Sequence, residues 1–508
     1  MLVTCALVIA ACGRAGATAS TAGTASSSAS PPAATASVLA VAASVRAGDW
    51  PTFGHDTQRS GVGPSDPGIT ARNLGQLTLR QVSINGIADS SAIELPAIRV
   101  RGRRRDVVVV STTYGKTIAI DAGSGARLWE FSPAGVNRAP GNPQVTTASP
   151  TADPDRRFVY APSPSGVIYK LSMTTGRTVW ARSITFDPTR EKIASSLTVS
   201  GRYVVAVTGG YFGDAPPYDG HVVTIDRASG RIAHVWNSLC SARHELIRAS
   251  SCGVTNTRGD NAIWSRAGPV IERGSGRILV ATGNGPFDGT SSWGNSVLEL
   301  SADASRLLHN WTPVNQASLD AGDTDVGSTS PAVLPVYHGF RLAVQGGKDG
   351  KLHLLDLARL NGTTGGAGRR LGGELQEVAA PGNGELFTAP AVWRDGRRTL
   401  LFVANDAGSS AYELVGGGHP RLRTVWRVAS GGTSPVVAGG LLYVYDEANG
   451  KLNVRWAASG VELRALPVAN GHWNSPIVAG GRIILPTGSY FDHSSSSSTI
   501  EIYHLPGR

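Results

Sequence analysis

The chain has 508 residues, with 47 Lys and Arg against 37 Asp and Glu, a formal charge of +10 and a sequence pI near 9.6. Hydrophobic residues at 41% are enough for a full core and exclude a wholly disordered chain, and the basic residues are too scattered for a nucleic-acid-binding block. Gly (63) and Pro (29) set against only 17% charged residues require many turns, and so predict short strands rather than long helices.

Residues 2–11 form an apolar run too short to span a bilayer as a helix. It ends Ile9-Ala10-Ala11-Cys12-Gly13, which resembles the lipobox of bacterial lipoproteins. The resemblance implies an exported protein, held at the outer face of the bacterial cell membrane by a diacylated Cys12. An ordinary secretory signal is the other reading, and no Lys or Arg precedes the run. Residues 15–44 are almost all Ala, Ser, Thr, Gly and Pro, a composition that buries too little surface to fold. The predicted organisation is therefore a signal with its lipidation Cys over 1–12, a tether over 13–48 and a folded body over 49–508. Cys240 and Cys252 are the only cysteines of the body, and an exported location permits a disulfide between them. The absence of Cys-x-x-Cys and Cys-x-x-Cys-His excludes a zinc ribbon and an attached haem.

The body repeats. A Pro-centred element recurs as Leu95-Pro96-Ala97-Ile98, Ser149-Pro150, Ser196-Leu197, Gly268-Pro269, Ser330-Pro331, Ala389-Pro390, Ser434-Pro435 and Ser475-Pro476, at intervals of 41 to 72 residues. A β-branched strand follows, as in Val107-Val108-Val109-Val110. Next come a Gly turn and a strand ending in Asp, as in Gly115 to Asp121, and then a second Gly turn and a Trp strand, as in Gly125 to Trp129. Alternating apolar residues between Gly turns are the period-2 signature of strands. Eight such units predict an all-β, eight-bladed propeller of four-stranded antiparallel blades, with the Trp residues packed between blades. The last unit offers three strands, and residues 77–82 look like an unpaired outer strand that completes it, because closing the ring removes exposed edges.

The phrase strand–Asp–x–x–x–Gly–x–x–x–Trp, with the opening Asp49-Trp50-Pro51-Thr52-Phe53-Gly54-His55-Asp56, resembles the pyrroloquinoline quinone (PQQ) repeat over residues 49–508. That repeat builds the propellers of quinoprotein alcohol dehydrogenases and of non-catalytic relatives such as the outer-membrane assembly lipoprotein. In the dehydrogenases PQQ lies at the propeller axis on a Trp floor. A metal ion, usually calcium, is held by Glu and Asn, an Asp acts as base, and an Arg or Lys contacts the quinone oxygen.

Carried over position by position, the resemblance makes Trp264 the floor. It makes Asn284, in Ala281-Thr282-Gly283-Asn284, a metal ligand. Asp325, in the segment Asp320 to Ser328, becomes the base, and Lys348 the quinone contact. Asp325-x-x-Ser-x-x-Pro also resembles the polyvinyl-alcohol dehydrogenase branch. The family's Glu ligand is missing: Gly209-Gly210-Tyr211-Phe212-Gly213-Asp214 carries Phe212 there, and Asp214 is the substitute. The vicinal disulfide of many members is missing too. Each residue also has a structural reading, as packing Trp, turn Asn, turn-capping Asp or hairpin Lys.

Two functions follow. One is a PQQ-dependent dehydrogenase using calcium, a small alcohol-type substrate and an external electron acceptor. The other is a non-catalytic scaffold binding cell-envelope proteins or polymers. A monomer that binds no nucleic acid is expected in either case. The two are told apart by whether Trp264, Asn284, Asp325 and Lys348 meet near the axis.

Overall fold

The structure, a computed structural model, describes residues 45–136, 144–211, 216–253, 259–360, 370–491 and 497–507. All of these belong to the unit Leu39–Arg508. The unit Met1–Val38, with the predicted signal and Cys12, lies outside the described residues. Eight four-stranded antiparallel sheets follow one another along the chain. Blades 1 to 7 occupy 93–131, 151–183, 198–237, 270–311, 332–379, 391–428 and 436–467, and their strands pair in sequence order. Blade 8 takes its three inner strands from 477–504 and its outer strand from Thr78–Ile84, which pairs antiparallel with Ser498–His504 from Thr78↔His504 to Ile84↔Ser498. The expected closure by an N-terminal strand is therefore present. Among the described residues helix is confined to Gln316–Gly322 and short 3-10 turns, and no helix there is long and apolar enough to cross a membrane.

The repeated residues explain how the blades join. The Ser of a Pro element stands at the head of the innermost strand, and its hydroxyl accepts the backbone N–H of the matching residue in the preceding blade. Ser91 N–H donates to Ser149 Oγ (2.9 Å), Ser149 N–H to Ser196 Oγ (3.3 Å), Ala389 N–H to Ser434 Oγ (2.9 Å), and Ser475 N–H to Ser91 Oγ (2.8 Å). The last of these bonds joins blade 8 to blade 1. It also corrects the first repeat, because Ser91, not Leu95-Pro96, holds the equivalent position. Pro96 instead sits at a bulge inside the first strand of blade 1, where register shifts between Leu95 and Ile98 and Ala97 adopts φ +56°.

Outer strands dock by Trp. Trp129, Trp180 and Trp426 donate Nε1–H to Met173 O, Arg227 O and Ala457 O of the next blade at 2.8, 3.1 and 3.0 Å. Each indole covers the Gly of the next blade's turn, Gly176, Gly230 or Gly460. A Cβ there would come within 2.6–2.7 Å of the ring, and φ is +69°, +69° or +73°. The Asp-x-x-x-Gly half of the repeat is thus the receptor for the Trp half of its neighbour. Trp236 also packs between blades, in a cluster with Val205, Val222, Ile271 and Ile278. Replacing the buried Trp129 by Ala is expected to cost about 3–5 kcal/mol through lost burial and the cavity left behind. Thermal melts of the two proteins read this as a lowered midpoint with an unchanged strand signal.

Residues 49–63 form a strap across one end of the ring. Trp50 exchanges backbone bonds with Glu94 of blade 1, and Pro51 O, Thr57 O, Ser60 O and Gly61 O accept from Ala152, Ile271, Val392 and Val437 of blades 2, 4, 6 and 7. Arg59, fully buried, reaches blade 3 by donating to Leu197 O (2.8 Å) and Thr198 Oγ1. Burial pulls its pKa down to about 9. Phe53, Gly54, Arg59 and Gly61 of the strap leave only about 10 Å³ between themselves and the Ser-Pro elements of blades 7 and 8. The axis is therefore filled at this end.

Candidate active site

In an antiparallel meander the head of the first strand and the tail of the second lie at the same end of a blade. Residues at these two points line a cavity of about 360 Å³ at the end of the axis away from the strap. Asp89, Thr147, Ala194, Arg266, Phe387 and Trp473 precede first strands, and Tyr211, Lys348 and Tyr490 follow second strands.

Of the four residues expected at the axis, Trp264 and Lys348 line this cavity together with Asp323, while Asp325 and Asn284 lie behind them, bonded to Lys348 and Asp323. Lys348 Nζ lies 5.5 Å from the Trp264 ring centroid and 2.8 Å from both Asp325 Oδ2 and Asp323 Oδ1. Burial opposes the ammonium, but Asp325 and Asp323 outweigh it and hold its pKa above the usual lysine range. Asn284 donates Nδ2–H to Asp323 Oδ1 (2.6 Å), and its Oδ1 accepts from Asn295 at 3.4 Å. Local backbone explains the arrangement. The helix Gln316–Gly322 ends on Asp323 in the left-handed conformation, and Asp325 then caps a 3-10 turn by accepting from Gly327 N–H (2.9 Å). Both carboxylates are thus turned to one lysine. A Cβ on Gly283 would sit 3.0 Å from Trp264 Nε1 and 3.5 Å from Asp325 Oδ1, so only glycine lets indole and carboxylate approach this closely.

Phe212 and Asp214 lie outside the described residues. The segment leading to them is anchored from below. Glu191–Lys192 pairs with Gly209–Gly210. Glu191 Oε1 accepts Asp219 N–H at 3.1 Å, and Oε2 lies 3.3 Å from Nε2 of the buried His221. Burial alone lowers the pKa of His221, but Glu191 and Asp219 outweigh it and raise it to about 9. The folded value stands above the unfolded imidazole's, so this contribution is complete below about pH 6.5 and is lost as pH rises through about 9. Amide exchange in Gly209–Tyr211 is expected to accelerate, beyond its intrinsic base catalysis, between pH 8 and 10, and a His221→Gln variant is expected to remove that step.

Sequence reasoning missed the other half of the cavity. Trp473 stacks on Phe387 (4.9 Å between centroids, 11°) and on His472 (4.4 Å, 21°), and Phe387 approaches Trp264 at 6.1 Å. Asp89, fully buried, accepts from Arg266 Nη2 at 2.6 Å and from Tyr490 N–H at 2.9 Å. Burial works against its charge, but Arg266 and His472 outweigh it and hold its carboxyl well below the usual range. A signal did exist: Thr147, Arg266, Phe387 and Trp473 each stand three residues before the Pro of their repeat element.

The donors can be tested against the groups the resemblance implies. Lys192, Arg266 and Lys348 beside the rings of Trp264, Phe387 and Trp473 suit a flat, multiply anionic molecule. Calcium takes six to eight oxygens. Around Lys348 the described side-chain oxygens are those of Asn284, Asp323 and Asp325, and the ammonium already pairs with both carboxylates. The described donors therefore fit the flat anion and do not by themselves form a calcium site. Cys240 and Cys252 are bonded to each other, with Cα atoms 5.6 Å apart, in the segment after blade 3. Asp219 approaches their sulfurs, the only grouping of three His, Cys, Asp or Glu ligand atoms among the described residues, but the sulfurs are committed to each other.

Eight blades around a one-ended axial cavity, three of them docked Trp-on-Gly onto the next, have the architecture of a PQQ-repeat propeller. The family model described as outer membrane protein assembly factor BamB matches residues 91–358, more than half of the chain, and the chain belongs to that family. No curated protein sequence matches it. Among solved structures, quinohemoprotein alcohol dehydrogenase from Comamonas testosteroni is 15% identical, with 91% of this chain and 81% of that one covered and a TM-score of 0.67. A europium-containing methanol dehydrogenase is 13% identical, with 90% and 98% covered and a TM-score of 0.64. BamB from Moraxella catarrhalis is 13% identical, with 85% and 99% covered and a TM-score of 0.50. At these identities the likeness is one of fold.

Proposed function

We propose that the protein is an exported propeller, anchored through Cys12, whose axial cavity binds a PQQ-type quinone and oxidises an alcohol-type substrate for an external electron acceptor. The observation that carries this reading is the approach of Lys348 to the face of Trp264 in the cavity wall, with Asp325 paired to that lysine and Asn284 bonded to Asp323 beside it. Trp264 offers the quinone a ring face, and Lys348, Arg266 and Lys192 oppose its negative charges. The quinone supplies the acceptor for the hydrogen that leaves the alcohol carbon. Asp325, buried and paired with Lys348 just behind the cavity wall, is the group that would take the hydroxyl proton. Surrounding rings exclude water from the reacting face.

A scaffold for cell-envelope proteins or polymers is the second reading, favoured by the family to which the chain belongs. Calorimetry with PQQ, with and without Ca²⁺, decides between them. Micromolar binding, with reduction of an artificial dye in the presence of alcohol, supports the first. Absence of binding at excess Ca²⁺ leaves the second.

A further inference from the structure

Across the cavity from Asp325 stands a second polar cluster that this mechanism does not use. His472 Nδ1 lies 2.8 Å from Asp89 Oδ2 and 2.9 Å from Arg266 Nη2. The same guanidinium bonds Asp89, with Nη2 on Oδ1 (2.6 Å) and Nη1 on the backbone oxygen (2.9 Å). Asp89 is held ionised and has no proton to give, so the hydrogen in the Nδ1–Oδ2 contact belongs to the imidazole. With Nδ1–H turned to this carboxylate, the lone pair is on Nε2, at the opposite edge of a ring that lines the cavity. Stacking on Trp473 and an edge contact from Phe491 (4.9 Å, 89°) hold the ring plane.

We infer that His472 presents an unprotonated Nε2 to the axial cavity as a second proton acceptor, with Asp89 as its positioning residue, for a hydroxyl-bearing occupant. This rests on reading the cavity as the place where such a molecule is handled. In the step, the occupant's O–H bond breaks, the proton bonds to Nε2, and the electron pair stays on oxygen. The charged and titratable groups facing the imidazole are Asp89 before blade 1, Lys192 before blade 3, Arg266 before blade 4 and Tyr490 after the second strand of blade 8. Glu447 of blade 7 bears on Arg266. Burial, Arg266 and Lys192 lower the imidazole's pKa and outweigh Asp89, so it is neutral at pH 7 and sheds an accepted proton readily.

Carbethoxylation by diethyl pyrocarbonate, mapped by peptide mass spectrometry, tests this on the intact protein, because only an accessible, unprotonated imidazole nitrogen reacts. His472 is expected to react at pH 6.5, with an acid limb below the ordinary histidine value, and saturating PQQ is expected to slow it at least about tenfold. Asp89→Asn removes the one neighbour that raises the imidazole's pKa, so its limb is expected to move to lower pH. A merely structural histidine, with its second ring nitrogen buried or bonded, would not react at all. If Asp89→Asn fails to fold, the wild-type limb and its protection by PQQ decide alone. Unreacted His472 at pH 6.5, a limb at or above the ordinary value, or no protection under PQQ that calorimetry registers as bound overturns the inference. Calorimetry without binding overturns the quinone reading instead, and the reactivity and limb of His472 then decide the inference by themselves.

Discussion

A chain lacking residues 45–84 is expected not to accumulate as a folded monomer. The deletion removes the strap and the outer strand of blade 8 together. Trp50, Ile69, Leu74 and Ile84 lose their burial in the cluster shared by blades 7, 8 and 1. At about 1.5–3 kcal/mol for each such side chain, these four residues alone match the whole net stability of about 5–15 kcal/mol of a typical domain. The ladder to Ser498–His504 is lost as well, which exposes that strand as an edge. Size-exclusion chromatography should find aggregate or no soluble protein, and a peptide of residues 45–84 added during refolding should restore a monomer. A truncated monomer melting at the wild-type temperature would refute ring closure as the source of stability.

Asp325→Asn is expected to keep quinone affinity within a few-fold and to lower dye reduction by about 10²–10⁴-fold, the usual range for a lost general base. Asparagine preserves the cap on Gly327 N–H, so the loop holds its shape. It removes the carboxylate beside Lys348, while Asp323 remains to pair the ammonium. Calorimetry and steady-state kinetics on the same preparation separate the two effects. Equal losses in binding and turnover would mean that Asp325 builds the pocket rather than acting in it.

The ring was legible because its rules are local. A Gly beneath a neighbour's Trp and a Ser-Pro at a strand head recur at fixed offsets, so each repeat testifies for the next. The first repeat slipped because Pro96 imitates the element from inside a bulge, while Ser91 lacks the proline. The strap's course was not legible, because a segment that bonds to six blades in turn follows the ring's periodicity and has none of its own. At the site, Trp264, Asn284, Asp325 and Lys348 come from adjacent repeats and could be matched by order and spacing. Asp89 and His472 stand 383 residues apart, at the seam where blade 8 meets blade 1, and only closure brings them together. Some of their neighbours could have been found from the repeat alone, since the residue three before the proline lines the cavity at Thr147, Arg266, Phe387 and Trp473.

The strap has a consequence for traffic. With one end of the axis filled by Phe53, Gly54 and Arg59, molecules reach the cavity from the opposite end, where Tyr490 and Phe491 stand. In the proposed reaction, a reactant to be oxidised and a partner that carries electrons away would share that one open end of a cavity of about 360 Å³. They would take turns there. Initial-rate plots against the two should therefore run as parallel lines, and each should inhibit when it is in excess by standing in the other's way.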